Sequence, residues 1–379
     1  MHICTIMSLP VPPEEGIGNY VHGLSTKLIE KGHKVTIITR GNWNKTEREV
    51  IDGIEIIKVR FITLYPFYIH LHGIFVNKIF RSLESHIDVV HVHTPLSPFI
   101  KTSLPLTTTI HTSILTNIRS IEVINFRSII ERIMGRFVSY PIQLKLLERT
   151  DMLTTVSQHV AQELQEYGVN PNEVTVIGNG VDEKMFTPIQ NKTGDRYILY
   201  TGRLGYRKGL FDLIECGKYI CKEYPDVSFV IPGKGILQSK LQERVEELSL
   251  GDRFKFLGYV GKEELIRLYQ SATVYVIPSH YEGLPTTLLE AMSCGLPVVA
   301  TAVSGNLEVI SSGENGILIP PKSPKEMADA ISMLLDDKEM RKKLGKNARK
   351  TIEKRFTWDI IADKVLRCYD SIITPRKIK

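Results

Sequence analysis

Short β-branched strands alternate with helical segments along most of this chain, and this alternation limits the possible folds more than any other feature. The strand-like "HICTIM" precedes a glycine-containing loop, the helical "YVHGLSTKLIEKG" and the strand-like "HKVTIIT". A strand, a helix and a second strand in this order form a βαβ unit with parallel strands. The buried-type strands "IDVVHVHTP" and "LPLTTTIHTS" continue the pattern. The N-terminal half therefore predicts a doubly wound α/β sheet.

A polar, proline-containing passage divides the chain. It is "DEKMFTPIQNKTGD", residues 182–195, and strand-like segments resume directly after it at "RYILYTGRL". Because 379 residues exceed what one core usually serves, we predict two α/β domains, over residues 1–185 and 190–356. The helical "WDIIADKVLRCYDSII", within about residues 357–379, is expected to pack back on the first domain.

Cysteine and histidine spacing argues against a metal site. The five cysteines lack CxxC spacing, so a disulfide framework or a zinc cluster is not expected, and we interpret them as reduced core residues. His70, His72, His91 and His93 form two His-x-His pairs, and alternation along a strand would put each pair on one face. No third ligand follows at finger-like spacing. We therefore expect no bound metal.

Charge and apolar runs bear on location and partners. The formal net charge of +6 suits nucleic acid, anionic lipid or phosphate-bearing substrates. Because the basic residues are dispersed and lack a recognition motif, no nucleic-acid partner is expected. No apolar run approaches the roughly 18 residues of a membrane span, and no leader precedes "HICTIM". These features predict a cytoplasmic protein, or one held at the inner face of a membrane.

Two glutamates, Glu282 and Glu290, stand at the strand–loop–helix junction "TVYVIPSHYEGLPTTLLEA". Ligands of open parallel sheets bind at such junctions. Pro285 suits the first helical position, so the next three amides can receive a phosphate; they belong to Thr286, Thr287 and Leu288. Helical side chains lean toward the N-terminus, so both carboxylates can face one ligand. Ionised carboxylates accept hydrogen bonds from vicinal hydroxyls, and a phosphate flanked by two diols describes a nucleotide sugar.

A second cluster points to the same ligand. The strand-ending "YTGRLGYRKG" places Arg203 and Lys208 in a tight glycine-bearing turn, where two cations can neutralise a diphosphate. In "VIPGKG", Gly233 and Gly235 follow another strand and allow close approach of the backbone. A glycosidase pair is a poorer interpretation of the two glutamates, because its carboxyls must flank a glycosidic bond.

At these residues the sequence resembles the retaining nucleotide-sugar glycosyltransferases of GT-B fold, in their fourth family. The resemblance covers nearly the whole chain through "EEGIGNYVHGLSTKLIEKGHKVTIIT", "IDVVHVHTP", "TIHTS", "VSQHVAQEL", "VIGNGVD", "TGRLGYRKG", "FLGYV" and the E-x7-E element. It implies two Rossmann-like, doubly wound parallel-sheet domains facing a cleft. The chain departs from the family pattern at Glu15-Gly16, where paired glycines are usual, and at Gly178, where proline is common.

The resemblance also implies site residues. The implied catalytic residues are Glu282, His111, Arg203 and Lys208. The implied donor-binding residues are Gly16, Arg203, Lys208, Val260, Glu282, Gly283, Leu284, Thr286, Thr287, Leu288 and Glu290.

Each implied role is specific. Arg203 and Lys208 would bind the donor diphosphate, with Gly16 near its phosphate. Glu290 would bind the ribose diol, and Glu282 would contact the donor sugar.

The backbone near Val260 would meet the base, and His111 would face the donor sugar and the acceptor from the first domain. The family implies retention of anomeric configuration without a metal. The donor would be a UDP- or GDP-sugar and the acceptor a hydroxyl group, with a lipid or lipid-linked glycan as one option. No carboxylate is placed as a nucleophile, which favours same-face transfer through an oxocarbenium-like state.

Two other functions remain open from the sequence. A GT-B nucleotide-sugar epimerase would turn over the donor without an acceptor. A non-catalytic nucleotide-sugar-binding module is suggested by Glu15 in the first loop.

The segment of residues 117–149 mixes apolar residues with a cationic excess, as does "FVNKIFRS" before it. Core-facing helices with a basic outer face are the expected structure of these segments. A helix lying on an anionic membrane is the alternative.

Overall fold

The computed structural model describes residues 1–11, 16–64, 67–95, 97–121, 123, 126–189 and 196–377. The chain divides into two compact units. The first unit is Met1–Gly180 with Trp358–Lys379, and the second is Val181–Thr357. The passage predicted to separate two domains starts just after Gly180, and its residues 190–195 lie outside the described residues.

The first unit is a sheet of eight strands with helices on both faces. Its strands are β1 (His2–Ile6), β2 (Lys34–Arg40), β3 (Glu47–Ile51), β4 (Ile54–Val59), β5 (Val89–Thr94), β6 (Leu106–Ile110), β7 (Met152–Thr155) and β8 (Thr175–Val176). Its helices are α1 (Gly16–Glu30), α2 (Tyr68–Arg81), α3 (Ile114–Ser120), α4 (Phe126–Met134), α5 (Tyr140–Arg149), α6 (Gln158–Glu163) and α14 (Trp358–Lys377).

The strand order β3-β4-β2-β1-β5-β6-β7-β8 places β1 between β2 and β5. Strands β2 to β4 lie on one side of β1, and β5 to β8 follow on the other side. The topological switch point therefore lies between β1 and β5. The sheet is not purely parallel as predicted, because β3 runs antiparallel to β4. Asp52 and Gly53 link these two strands with φ of 52° and 78°, the positive values of a two-residue hairpin.

The last helix, α14, belongs to the core of the first unit. Ile361, Val365 and Tyr369 are buried in the same apolar cluster as residues of α1 and β1. At the start of α14, a Cβ atom on Gly23 or Gly180 would lie 2.4 or 2.3 Å from Trp358 ring atoms. Glycine at both positions therefore makes room for the indole ring.

Helix α4 contradicts the expected core-facing arrangement of residues 117–149. Phe126, Ile129, Ile133 and Phe137 are exposed large apolar side chains. A π-helical turn, Gly135–Ser139, joins α4 to α5. In contrast, α2 buries Val76 and Phe80 of the "FVNKIFRS" segment, as expected. The sequence shows which residues share a helical face, but the direction of that face depends on the packing of neighbouring elements.

The second unit has a six-stranded sheet whose pairs are all parallel. Its strands are β9 (Tyr197–Leu199), β10 (Ser228–Pro232), β11 (Phe254–Gly258), β12 (Val274–Ile277), β13 (Val298–Thr301) and β14 (Ile317–Ile319). Its helices are α7 (Leu210–Glu223), α8 (Gln238–Glu247), α9 (Lys262–Ser271), α10 (Thr286–Ser293), α11 (Ser304–Val309), α12 (Pro324–Asp336) and α13 (Lys338–Arg355).

The strand order of this second sheet is β11-β10-β9-β12-β13-β14. Strand β9 starts one half and β12 the other, and they lie side by side with Tyr275 opposite Leu199. The topological switch of the second unit is therefore between β9 and β12, where a ligand crevice is expected at the carboxyl ends.

All five cysteines are free thiols, and four of them are buried. Among the described residues, no helix combines the length and the apolar character needed to cross a membrane.

Candidate functional site

The loops after β9 and β12 bring the predicted cation and carboxylate together in the second unit. The Lys208 Nζ atom donates a hydrogen bond to Glu282 Oε1 at 2.5 Å. The Ser279 hydroxyl donates to the same oxygen at 2.6 Å. The Glu282 side chain is 5% exposed and that of Lys208 is 19% exposed. Glu282 is therefore neither a solvated loop residue nor an isolated buried charge.

Burial and pairing act in opposite directions on this carboxylate. Burial alone would raise the pKa of Glu282, but the charges of Lys208 and Arg207 outweigh it and hold the pKa below its usual value. Burial lowers the pKa of Lys208, and the charge of Glu282 opposes that shift. We conclude that Glu282 is ionised at neutral pH and that its charge depends on its partners.

Two further cations, Arg203 and Arg207, act on this pair, and only Arg203 was predicted from the sequence. Arg203 is an exposed residue, and its positive charge contributes to lowering the pKa of Lys208. Arg207 was missed, yet its charge acts on Glu282, and its guanidinium carbon lies 5.7 Å from the centroid of the Tyr281 ring. Arg207 could have been predicted from the sequence "YRKG", because it is adjacent to Lys208 in the same turn.

Helix α10 begins where the anion site was predicted. Pro285 is the N-cap residue with ψ of 122°, not the first helical residue, and no side chain caps this end of the helix. Thr286, Thr287 and Leu288 form the first turn. Amides of a first turn lack intrahelical acceptors and carry partial positive charge. The N-terminus of α10 can thus receive an anion beside the Lys208–Glu282 pair.

The loop between Glu282 and α10 is fixed by its own backbone. The Gly305 amide donates to the Glu282 carbonyl oxygen at 3.0 Å. A Cβ atom on Gly305 would lie 2.2 Å from the Gly283 oxygen, so only glycine fits there. Leu284 is 7% exposed and anchors the end of the loop. This packing fixes the backbone on which Glu282 lies.

Glu290 lies one turn into α10 and has a different environment. The Tyr269 hydroxyl donates to Glu290 Oε2 at 2.8 Å, and the same hydroxyl is 2.6 Å from Thr201 Oγ1. Burial raises the pKa of Glu290 to about 7, and the hydrogen bond from Tyr269 only partly opposes this. The carboxylate taken as ionised from the sequence is thus divided between its two protonation states at neutral pH. Tyr269 and Thr201 were not predicted, because nothing in the local sequence links them to Glu290.

Close backbone approaches join the loops at this edge of the sheet. Gly233 has φ of +140°, and a Cβ atom there would lie 1.9 Å from the Gly202 oxygen. The Gly233 amide donates to the Gly258 oxygen at 2.6 Å. The loops after β9, β10 and β11 are therefore adjacent, and half-buried Val260 lies at the end of this row.

The first unit gathers histidines at the carboxyl ends of β5 and β6. The His111 Nε2 and His93 Nδ1 atoms are 3.1 Å apart. The His93 and His91 ring centroids are 4.0 Å apart, and His91 Nδ1 lies 2.6 Å from the Tyr369 hydroxyl of α14. Tyr20 of α1 meets the His111 ring edge-on at 4.8 Å between centroids. His91, His93 and Tyr20 were not predicted to accompany His111.

These three histidines are neutral at neutral pH. Burial lowers the pKa of His91 and of His111 to about 3, and burial followed by the neighbouring histidines lowers the pKa of His93 well below its usual value. Within the described residues, His93 Nε2 is a buried ring nitrogen with no hydrogen-bond partner. The cluster can donate or accept hydrogen bonds, but it does not supply a cation.

Two other predictions about the first unit are changed by the structure. Gly16 lies at the exposed first residue of α1, not within the loop, and Glu15 lies outside the described residues. His70 and His72 lie on α2 and not on a strand, so only His72 points inward, where it meets the Ser8 hydroxyl at 2.7 Å. No group of three or more metal-ligating side chains occurs among the residues described.

Two protein families match the chain in succession. The family described as Glycosyltransferase Family 4 matches residues 15–184. The family described as Glycosyl transferases group 1 matches residues 181–351. Together they span both units.

Individual proteins agree with these families. An uncharacterized glycosyltransferase of Methanocaldococcus jannaschii is 28% identical, over 93% of this chain and 94% of that protein. The phosphatidylinositol N-acetylglucosaminyltransferase gpi3 subunit of Schizosaccharomyces pombe is 27% identical, over 97% of this chain and 80% of that protein.

Solved structures agree in fold. Sucrose-phosphate synthase from Thermosynechococcus elongatus has a TM-score of 0.83 and 23% identity, with 99% of each chain covered. Anabaena HepE in complex with UDP-glucose has a TM-score of 0.76 and 16% identity, with 98% of this chain and 100% of that chain covered. The predicted fold and family are thereby confirmed, and the chain belongs to the GT-B glycosyltransferases of family 4 type.

Proposed function

We propose that this protein is a retaining, metal-independent glycosyltransferase that moves a sugar from a nucleotide-sugar donor to a hydroxyl acceptor. One observation carries the proposal: the Lys208–Glu282 ion pair, at 2.5 Å, lies beside the uncapped N-terminus of α10 at the switch point of the second sheet. Such a site offers cations and amides to a diphosphate and a carboxylate to sugar hydroxyls.

The donor is proposed to lie along the row of loops in the second unit. Arg203, Lys208 and the first-turn amides of α10 would bind the diphosphate, and Glu290 would accept from the ribose hydroxyls. The backbone near Val260 would meet the base. A UDP- or GDP-sugar fits these roles, and the UDP-glucose bound by HepE, a protein of the same fold, supports the nucleotide-sugar class.

In the proposed reaction, the bond between the anomeric carbon and the diphosphate oxygen breaks as the bond to the acceptor oxygen forms on the same face. The acceptor proton passes to the departing diphosphate oxygen. Arg203 and Lys208 stabilise the negative charge that grows on the leaving group. Glu282 faces the positive charge that develops on the sugar ring, and neutral His111 contacts the transferred sugar and the acceptor through hydrogen bonds.

A lipid or lipid-linked hydroxyl acceptor is the proposed acceptor class. The relative from Schizosaccharomyces pombe, a phosphatidylinositol N-acetylglucosaminyltransferase subunit by name, supports this choice. The exposed apolar face of α4 in the first unit agrees with work at a lipid surface.

The test is a panel of UDP- and GDP-sugars in buffer containing EDTA. A true donor should raise the melting temperature, because ligands that bind the native state stabilise it. With that donor, nucleoside diphosphate release should depend on an added acceptor, and the product should keep the anomeric configuration of the donor.

Other outcomes separate the alternatives. Donor turnover without any acceptor would indicate an epimerase or a hydrolase. Tight donor binding without product across lipid and sugar acceptors would indicate a binding module. Activity that EDTA abolishes and magnesium restores would refute the metal-independent mechanism.

A further inference from the structure

In the first unit, helix α4 and the π-helical turn that follows it, Gly135–Ser139, expose large apolar side chains to solvent. Phe126 is 75% exposed, Ile129 40%, Ile133 45% and Phe137 73%. Their spacing of three, four and four residues puts them on one side of a helix. We call these four residues the apolar stripe.

The opposite side of the same helix is the side that packs on the protein. Ser128 is fully buried, and a Cβ atom on Gly135 would lie 2.5 Å from Ile118 Cγ1 of α3. Ser128 and Gly135 lie about half a turn away from the apolar stripe at 3.6 residues per turn. The helix therefore buries small residues and exposes large apolar ones, the reverse of a surface helix in a globular protein.

Cations border the apolar stripe. Arg132 and Arg136 lie along one edge of it, and the Arg136 guanidinium carbon is 5.3 Å from the centroid of the Tyr140 ring. Residues 117–149 carry six Lys or Arg side chains and three Glu. An apolar face with basic side chains at its edge is the pattern of a helix lying in a lipid interface, where the cations meet anionic headgroups.

We propose that the apolar stripe docks on the surface of an anionic phospholipid bilayer, with α4 lying in the interfacial plane. Arg132 and Arg136 then contact lipid phosphates, while the two phenylalanines enter the acyl boundary. This surface deepens the proposed function by naming where the chain meets a lipid-borne acceptor, and in that sense it rests on that function. Docking is nevertheless measured without any transfer reaction.

The experiment is vesicle co-sedimentation of the full chain, with phosphatidylcholine alone and with phosphatidylcholine mixed with phosphatidylglycerol. Wild type should bind the anionic vesicles. The double variant Phe126→Ser with Phe137→Ser should lose about tenfold or more of that binding, because two large apolar side chains no longer insert. Arg132→Gln with Arg136→Gln should weaken binding to anionic vesicles and make the residual binding less sensitive to salt than that of wild type.

The matched control is Tyr219→Ser with Met333→Ser, which removes two exposed apolar side chains from the second unit at 48% and 50% exposure. This variant should bind vesicles as wild type does. Circular dichroism and melting temperature check that all variants fold. A Phe137→Trp variant in a Trp43→Phe background adds a second measurement, since its emission should shift to the blue on anionic vesicles.

Three results would overturn the proposal. Wild type that stays in the supernatant with anionic vesicles is the first, and a Phe126/Phe137 variant that binds as wild type is the second. The third is a wild-type protein that is dimeric in light scattering and does not bind vesicles, with a Phe126/Phe137 variant that is monomeric. A second copy of the chain would then cover the apolar stripe. Failure of transfer with intact vesicle binding would count against the proposed function and leave the docking surface standing.

Discussion

The two units carry polar groups at the same structural place, the carboxyl ends of their parallel strands, but the groups differ in charge. The second unit holds charges that are kept by pairing, as in the 2.5 Å contact between Lys208 and Glu282. The first unit holds His91, His93 and His111, whose charges are lost to burial, and no carboxylate among the described residues opposes that loss. A buried side chain keeps its charge only when a group of opposite charge lies beside it. We therefore propose that the second unit stabilises the charge of the leaving diphosphate and that the first unit contributes neutral hydrogen bonds.

The largest expected effect is on the charged side of this comparison. Lys208→Ala should lower turnover by about two to three decades, or on the order of 2–4 kcal/mol, because it removes a cation from the leaving group. It should also lower the unfolding free energy by about 3–5 kcal/mol, since Glu282 is left buried without its cation. Steady-state kinetics and denaturant titration measure the two losses.

Arg203→Ala is the matched control for stability. Its loss should reduce turnover strongly, because Arg203 is proposed to bind the diphosphate. The melting temperature should stay near that of wild type, because the Arg203 side chain is exposed. Near-normal rates in both variants would contradict the assignment of the two cations to the diphosphate.

The next effect separates the two glutamates. Glu282→Gln should mainly lower kcat, by about ten- to a hundredfold, because its contact strengthens as charge develops on the sugar. Glu290→Gln should mainly raise the donor KM by about tenfold, because the ribose is remote from the breaking bond. Calorimetric donor affinity beside kcat distinguishes these profiles, and identical profiles would show that the two roles were assigned wrongly.

A smaller effect is expected from pH. Burial raises the pKa of Glu290 to about 7, and donor hydroxyls are bound by the ionised form, so donor binding should release a proton. Affinity should rise with pH and be about tenfold weaker at pH 6 than at pH 8. His91 and His111, with pKa values near 3, and His93, whose pKa burial lowers well below its usual value, should add no inflection in this range. Calorimetry in two buffers of different ionisation enthalpy measures the proton release, and a pH-independent affinity, or a dependence that persists in Glu290→Gln, would contradict this origin.

The smallest effect tests the neutral side of the comparison. His93 Nδ1 lies 3.1 Å from His111 Nε2 and so holds the His111 ring in place. His93→Phe should lower kcat by about two- to tenfold with little change in donor KM. His93→Asn, which keeps a polar atom at this position, should recover part of the loss. Equal kcat values for the Phe and Asn variants would mean that His93 only fills space.

Local patterns predicted the sheets of both units, because the apolar periodicity of strands and helices depends on residues that are close in the sequence. The junction from Tyr275 to Leu288 could be placed in the same way, since Pro285 and the following threonines mark the start of a helix. The hairpin at Asp52-Gly53 was also predictable from the sequence, because Asp-Gly between two β-branched segments is typical of a two-residue hairpin turn.

Contacts between distant segments could not be predicted. Tyr269 reaches Glu290 from another helix, and His91 meets Tyr369 across 278 positions in the chain. The raised pKa of Glu290 depends on how deeply the folded chain buries its carboxyl group, which a local sequence pattern does not show. The direction of the apolar stripe has the same origin, because it depends on contacts with distant elements, such as that of Gly135 with Ile118 of α3.

The central claim is that the charged edge of the second unit holds the donor diphosphate without a metal. Calorimetric titration of the full chain with UDP and with GDP, in EDTA, for wild type and for Arg203→Gln, tests it most directly. We predict that one of the two nucleotides binds wild type, that its monophosphate binds more weakly, and that Arg203→Gln loses about tenfold in affinity for the diphosphate. Equal affinity in wild type and variant, or binding that requires added magnesium, would contradict the claim.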